Sequence, residues 1–168
     1  MTNLEVNGPI TVNNGPVTVN GNLKVTGIAD LSAMYAYWAD LAENYIADAK
    51  YEPGTLVKFG GEKEITIADD EANGVISERP ALLINGAISN NPMCCPLALA
   101  GRVKVKVAGC VKKFDKIVLL GTSGFEGIAK AVDPKDGTYK NTKVLGRALE
   151  ASDDEGIKLV ECVVKFEL

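Results

Sequence analysis

Few side chains in this 168-residue chain have types and spacing suited to chemistry. It contains no histidine, the most common general base and a frequent metal ligand. Any catalysis would therefore depend on carboxylates, lysines or hydroxyl groups. The cysteines lack the two-residue spacing of a zinc hook and are expected to be buried, reduced thiols: Cys94, Cys95, Cys110 and Cys162. The sequence thus predicts neither a metal site nor another cofactor.

Two acidic runs and one glycine-rich run are the remaining candidates for a small-ligand site. Residues 69–71 and 153–155 each precede a glycine, which is typical of solvated turns, and neither has the ligand spacing of a calcium loop. Residues 121–127 lack the lysine of a phosphate-binding loop. We expect a hairpin loop there and no ligand site in any of the three runs.

The amino-acid composition and charge restrict the classes of partner that this chain is expected to bind. The apolar fraction of 46% predicts one main folded domain, and the net charge of −4 comes from scattered acids and bases. Nucleic acid and anionic membrane surfaces are disfavoured, because no basic patch is present to bind phosphate groups. No apolar run approaches the twenty residues of a membrane span, and the first residues do not resemble a signal peptide.

Residues 1–29 form a predicted N-terminal arm with an internal repeat. Apolar-x-apolar triplets begin six, seven and six residues apart and are separated by Asn, Thr and Gly, as expected for very short strands and sharp turns. So short an arm cannot bury these side chains by itself. We predict that they form an interface: Leu4, Val6, Ile10, Val12, Val17, Val19, Leu23 and Val25.

Three arrangements of the arm remain open. Three identical arms could wind their apolar side chains against one another, or the arm could dock onto a different protein. A flexible linker is the third alternative, although a linker has no need of regular apolar triplets. Homotrimerisation is the favoured prediction.

Residues 30–50 are predicted to form a helical joint. Apolar and aromatic residues recur there at three- and four-residue steps, and Asp30 is a plausible N-cap. The segment also contains the only tryptophan, Trp38, which suits a packing role between the arm and the rest of the chain.

Residues 51–168 are predicted to form a β-domain. The clearest strand alternates Val103, Val105 and Val107 with basic residues, so that one face is buried and the other solvated. Turn signals include Gly60-Gly61. Many strands without recurring helices favour an antiparallel barrel or sandwich, and the fold class is therefore mainly β.

A weaker internal sequence similarity divides the β-domain in two. Residues 53–59 and 74–77 resemble residues 113–119 and 144–148, because in each case a turn introduces an apolar strand and a short glycine-containing strand follows. The domain is therefore expected to consist of two similar β-units packed together.

Several segments resemble one family in the same order along the chain. WADLAENY at residues 38–45 and YEPGTLVKFGG at 51–61 are similar to segments of bacteriophage tail-fibre, neck-appendage and related virion proteins, as are GVIS, ALLIN, LALAGRV and GRALE downstream. Part of this family is of the peptidase G2 type, in which a C-terminal intramolecular chaperone assists trimer assembly and then cleaves itself off. The resemblance covers roughly residues 36 to 168.

The cleavage motif of that family resembles Ser-Asp-Tyr-Ala-Glu, cut after the serine. In this chain Ala39 takes the place of the serine, whereas Asp40 and Glu43 retain the carboxylates. Cleavage by hydroxyl attack needs a nucleophile that Ala39 does not have. We therefore expect no enzyme activity, with Asp40 and Glu43 as residual catalytic groups in the alternative of self-cleavage. Otherwise the two carboxylates would cap a helix or pair with a basic residue.

The resemblance and the arm repeat together imply a virion structural protein, either a short fibre or a capsid or tail decoration subunit. Its expected partners are two copies of itself and capsid or tail proteins, and its expected location is the virion, after synthesis in the host cytoplasm. The alternatives are a self-cleaving chaperone domain and a receptor-binding tip with recognition loops such as residues 85–96 or 121–127.

Overall fold

The structure is a computed structural model that describes residues 6–32, 34–137 and 143–165. The chain separates into two compact units, Met1–Tyr35 and Ala36–Leu168. In the described part of the chain no helix is long and apolar enough to cross a membrane.

In the first unit, the described residues form neither strand nor helix within the single chain, and all of them are exposed. Triplets of two apolar residues cannot pair into a sheet that shields both of its faces. The predicted strands of the arm are therefore not formed in one isolated chain.

The second unit is almost entirely β, and the prediction of a mainly β fold is confirmed. In its described part the strands are β1 (Asp40–Ile46), β2 (Leu56–Phe59), β3 (Ile65–Ile67), β4 (Gly74–Ile76), β5 (Leu82–Ile84), β6 (Cys94–Ala108), β7 (Lys116–Leu119), β8 (Ala129–Val132), β9 (Gly146–Ala148) and β10 (Lys158–Lys165), with a 3₁₀ turn at Gly86–Ile88.

The prediction of a helix at residues 30–50 is wrong. Strand β1 occupies Asp40–Ile46, and Asp30 caps no helix. The side chains of β1 that face the interior include Asp40 and Asn44, which are buried together with Ala42. Because two of the three buried positions are polar, apolar residues do not recur at every second position of β1. The apolar residues of the segment instead fall at three- and four-residue steps, which are typical of a helix.

Strand pairing closes the sheet into two rings, each of five strands. The C-terminal ring runs β6-β10-β9-β7-β8 and returns to β6 through a parallel pairing of β8 with β6. The N-terminal ring runs β6-β4-β2-β3-β1 and closes through a parallel bridge between Ala47 and Ile65. The fold is thus a closed barrel with additional strands, and no sandwich is formed.

The two rings repeat the same pattern of hydrogen bonds, so the prediction of two similar β-units is confirmed. Val57 pairs with Gly74 in β2 and β4, and Ile117 pairs with Gly146 in β7 and β9. Shortly before β2 and β7 begin, Gly54 and Phe114 have positive φ values of 83° and 73°. Their N–H groups donate to Ile76 and Ala148, each over 2.8 Å.

Strand β6 belongs to both rings, as the last strand along the chain of the N-terminal ring and the first strand of the C-terminal ring. Its residues Cys94–Gly101 pair with β1, and its residues Ala100–Val107 pair with β10. Val103, Val105 and Val107 are buried while Arg102 and Lys104 are exposed, as their alternation predicted. The shared strand makes the two rings one continuous structure.

The interior consists of two apolar clusters. The smaller fills the N-terminal ring and includes Val57, Ile65 and Leu97. The larger fills the C-terminal ring around Val105 and Ile117 and extends to residues on the opposite face of the N-terminal ring: Leu56, Val75 and Ala98. Strand β4 and the first two residues of β2 therefore bury both of their faces, which explains why polar side chains are absent there.

Three cysteines are buried free thiols as predicted, but Cys110 is exposed. Its Sγ lies 3.2 Å from Oε1 of Glu155, and this contact raises the pKa of the thiol. Cys110 lies two residues after β6 ends at Ala108, in a loop where an apolar residue type does not imply burial.

Candidate functional site

The first candidate site is the row of apolar side chains in the arm. Leu4 lies outside the described residues. The other seven predicted interface residues are all exposed, from 48% for Val6 and Val19 to 73% for Leu23. Within the same unit, Ile28 and Leu31 are exposed as well, which lengthens the apolar row toward its C-terminal end.

The second candidate site is a groove of about 440 Å³ around the start of β1. The peptide bond between Ala39 and Asp40, the position that matches the family cleavage site, lies in this groove. The carbonyl oxygen of Ala39 accepts a hydrogen bond of 3.2 Å from the N–H of Arg102, and that of Asp40 accepts one of 2.7 Å from Ala81. Both carbonyl groups are therefore held by neighbouring segments.

Gly101 permits this close approach. It has a φ of +113°, and a Cβ at this position would overlap the Ala39 carbonyl oxygen and lie 2.8 Å from the Asp40 Cα. Only glycine combines this backbone conformation with the absence of a side chain. Gly101 thus lets β6 pack directly against the Ala39–Asp40 peptide.

The Asp40 side chain forms the floor of the groove together with Ser77. Asp40 is 5% exposed and Ser77 is 3% exposed. Burial raises the pKa of Asp40, and the neighbouring Ser77 hydroxyl offsets part of this rise. Oδ2 of Asp40 and Oγ of Ser77 are both closed to solvent, so neither atom is open to the groove.

Glu43 is not part of this site. Side chains of successive strand residues point to opposite faces, so residues 40 and 43 of β1 lie on different sides of the sheet. The Glu43 carboxylate instead accepts a hydrogen bond of 2.9 Å from the Tyr45 hydroxyl. Burial, together with this carboxylate, raises the pKa of Tyr45 to about 12. The structure therefore does not bring together the two carboxylates that the sequence suggested as residual catalytic groups.

Apart from Trp38, the residues described here that form the walls of the groove were not singled out by the sequence analysis. Arg79 places its guanidinium carbon 5.5 Å from the centroid of the Trp38 ring. Arg102 and Glu161, on the paired strands β6 and β10, form an ion pair of 3.8 Å at the groove. These residues lie on strands and loops that are distant in sequence, and their proximity results only from ring closure.

The runs that were predicted to be solvated turns are exposed. Lys58 contacts both Asp69 and Asp70 over 2.6 Å, which lowers the pKa of Asp69 to about 2. Residues 121–127 connect the antiparallel pair β7 and β8, as expected of a hairpin loop. In the described part of the chain, no group of three or more potential metal ligands lies together.

No protein-family model matches the sequence, and no curated protein is significantly similar to it. Among solved structures, the fold resembles the pre-mature bacteriophage phi29 gene product 12, with a TM-score of 0.62 and 15% identity. That match covers 83% of this chain and 24% of the phage chain.

A C-terminal fragment of the same phage protein is also similar, with a TM-score of 0.55 and 16% identity. The match covers 75% of this chain and the whole of the fragment. At such identities the likeness concerns the fold. The closed barrel with additional strands is therefore a fold also found in a bacteriophage protein.

Proposed function

We propose that this chain is a structural subunit of a tailed-phage virion that acts by self-association through its N-terminal arm. The observation that carries the proposal is the row of apolar residues in the arm, all of them exposed among the residues that the structure describes. Its fold, shared with a protein of bacteriophage phi29, and its segments resembling fibre and appendage proteins support a place on the particle.

The favoured assembly is a homotrimer. Three copies would bring three rows of Val, Ile and Leu side chains together, each contributing roughly 25 cal/mol per Å² of apolar area removed from water. Ordering the arms opposes this gain, so the arms assemble only when all the rows are covered together. The β-domain then forms the globular head of a short fibre or a capsid or tail decoration.

The test is the mass of the full chain in solution, measured by light scattering. We expect three times the chain mass of 17.8 kDa. Substituting Ile10→Asp together with Val17→Asp should yield a monomer, because two charges per chain would enter the apolar contact. The matched control, Asn13→Asp with Asn20→Asp, adds the same charge at polar arm positions and should remain trimeric. A monomeric wild-type chain, or a trimer that tolerates Ile10→Asp with Val17→Asp, contradicts the proposal.

Self-cleavage is the second candidate function, and one observation favours examining it. The Ala39–Asp40 peptide lies in a groove, with the Arg102 N–H on its carbonyl oxygen, an arrangement that would stabilise an oxyanion at this position. We nevertheless propose that the chain is not an enzyme, because Ala39 provides no nucleophile.

Intact mass spectrometry of the purified chain separates the two functions. We expect the full mass of 17.8 kDa after prolonged incubation. A fragment that begins at Asp40 would instead establish cleavage. In that case the Asp40→Asn variant would show whether the buried carboxylate takes part.

A further inference from the structure

Five asparagines in the sequence are followed directly by glycine, and the structure places them in two different environments. Three belong to the arm and two to the second unit: Asn7, Asn14 and Asn20, and Asn73 and Asn85. The three arm steps lie at the turns that follow the apolar triplets. At an Asn-Gly step the next main-chain nitrogen can approach the asparagine side chain easily, because glycine has no Cβ in the way.

The chemistry open to such a step is deamidation through a cyclic imide. The glycine nitrogen loses its proton and attacks Cγ of the asparagine. The Cγ–Nδ2 bond then breaks, and Nδ2 takes up a proton and leaves as ammonia. Water opens the five-membered ring at either of its two carbonyl carbons, which gives aspartate or isoaspartate. Overall, an amide and water become a carboxylate and ammonium, so water is the only other reactant.

Ring closure requires freedom of the main chain. The backbone must rotate about the Cα–C bond of the asparagine until the glycine nitrogen reaches Cγ. A residue fixed by a sheet or by side-chain hydrogen bonds can rotate in this way only after local opening, which costs free energy. The rate at each Asn-Gly step therefore depends on whether the surrounding fold restrains it.

Both steps in the second unit are restrained. The N–H of Asn73 donates to the Val57 carbonyl over 2.8 Å, and its side-chain oxygen accepts from the Phe59 N–H over 2.9 Å. The Asn85 side chain donates to the Asn44 carbonyl over 2.9 Å, and the Asn85 carbonyl accepts from the Asn44 side chain over 3.2 Å. Neither asparagine can turn toward the next nitrogen while these bonds hold.

The three steps in the arm lack such restraints. Their asparagines and glycines are exposed, and residues 6–32 form neither helix nor strand. Within this described range, no main-chain hydrogen bond involves any of the three steps. A Cβ added to the glycine of each step would meet no atom within 4 Å, so nothing packs against the attacking nitrogen.

We propose that Asn7, Asn14 and Asn20 are sites of spontaneous deamidation, and that the fold protects Asn73 and Asn85. Each event replaces a neutral amide by a carboxylate, so reaction at all three sites changes the formal net charge from −4 to −7. Where isoaspartate forms, the main chain gains one methylene group beside an apolar triplet. The arm therefore ages chemically, whereas the second unit does not.

The test follows the full chain by peptide mapping with mass spectrometry during incubation at mildly alkaline pH. Fragment ions assign each change from amide to carboxyl to one asparagine. We expect the arm sites to react at least about tenfold faster than the two protected sites, because the latter react only through local opening. A methyltransferase specific for isoaspartate should label the arm peptides alone. In concentrated urea, which unfolds the second unit, the two protected sites should approach the arm rate.

A second comparison separates the effect of the glycine from that of exposure. Asn22 is exposed in the same arm but is followed by leucine, and it should react at least about tenfold more slowly than Asn20. Gly21→Ala should slow Asn20 to a similar extent and leave the other two arm sites unchanged. Gly27→Ala is the matched control, because it lies at an equally open position after a threonine, and it should alter no rate.

Three results would overturn the proposal. They are rates in the folded chain that are no greater at the arm sites than at Asn73 and Asn85, a reaction at Asn22 as fast as that at Asn20, and protected sites that stay as slow in urea. A monomeric wild type in light scattering would contradict arm-driven assembly but leave these expectations unchanged, so the two proposals can fail separately.

Discussion

At the scale of single residues, Asp40 is a carboxylic acid buried in a mostly apolar interior. It begins β1, is buried, and has a pKa raised above the ordinary value of 3.8 by burial. A folded state that raises a pKa binds the proton more tightly than the unfolded state does. The stability due to Asp40 is therefore full below about pH 3.8 and is lost as the pH rises through its folded pKa.

This linkage predicts the behaviour of Asp40→Asn, which keeps the shape of the side chain but cannot ionise. Relative to the wild type, the variant should gain stability as the pH rises from about 3.5 to about 7, because only the wild type then buries a charge. Urea unfolding of both proteins across this range measures the difference. Stability curves that run parallel with pH would contradict the assignment of Asp40 as a desolvated carboxyl group.

Gly101 is the second decisive residue. In Gly101→Ala the added Cβ would overlap the Ala39 carbonyl oxygen, and the φ of +113° is strained for any side chain. We expect a loss of about 3 kcal/mol in the free energy of unfolding. Gly86→Ala is the control, since a Cβ there meets no atom within 4 Å, and it should change stability by less than about 0.5 kcal/mol. Equal stability of the two variants would exclude the close contact.

At the scale of elements, β2 illustrates how the two rings are joined. Leu56 belongs to the larger apolar cluster and Val57 to the smaller, and both are fully buried. Consecutive residues of one short strand thus support two different interiors. At these two positions the strand has no solvated face on which a polar residue would be tolerated, whereas Lys58, the next residue, contacts the exposed Asp69 and Asp70.

Truncations in β2 should therefore be costly on either face. Leu56→Ala is expected to lower the free energy of unfolding by about 2–5 kcal/mol, and Val57→Ala by about 2 kcal/mol, because each leaves a cavity in a closed interior. Lys63→Ala, in the exposed turn between β2 and β3, serves as the control and should change it by less than about 0.5 kcal/mol. Denaturant titration measures all three. A near-neutral Val57→Ala would mean that the smaller cluster contributes little.

At the scale of the whole molecule, the second unit consists of a repeat whose two copies share β6. The same pairings recur in both rings, and residues of the N-terminal ring, including Leu56, complete the core of the C-terminal ring. Neither ring can close without the shared strand. The rings are therefore one folding unit, although their hydrogen-bond pattern is that of two.

We accordingly expect a single unfolding transition for the second unit. Ile65→Val in the N-terminal ring and Ile117→Val in the C-terminal ring should each lower the midpoint of that one transition, at a cost of about 0.5–1.5 kcal/mol. Circular dichroism and Trp38 fluorescence, recorded at one fixed protein concentration, should give coincident curves. Two separate transitions, each sensitive to only one of the variants, would show that the rings unfold independently.

The sequence by itself determined the mainly β class, the alternating face of Val103, Val105 and Val107, and the repeat of a turn, an apolar strand and a glycine-containing strand. These features are local, because side-chain periodicity and turn residues report directly on nearby backbone geometry. The exposed apolar row of the arm was recognised for the same reason. Whether that row forms a trimer interface remains a prediction.

Only the tertiary structure decided the rest. β1 was hidden because two of its three buried residues, Asp40 and Asn44, are polar, and Ala-Lys-Ala-Val in β8 is a weak strand signal. The closure of both rings and the groove depend on contacts between strands that lie far apart in sequence. The side chains of Asp40 and Ser77 are buried side by side only because the sheet closes around them. Burial of polar atoms is a property of the packed fold, and no local pattern encodes it.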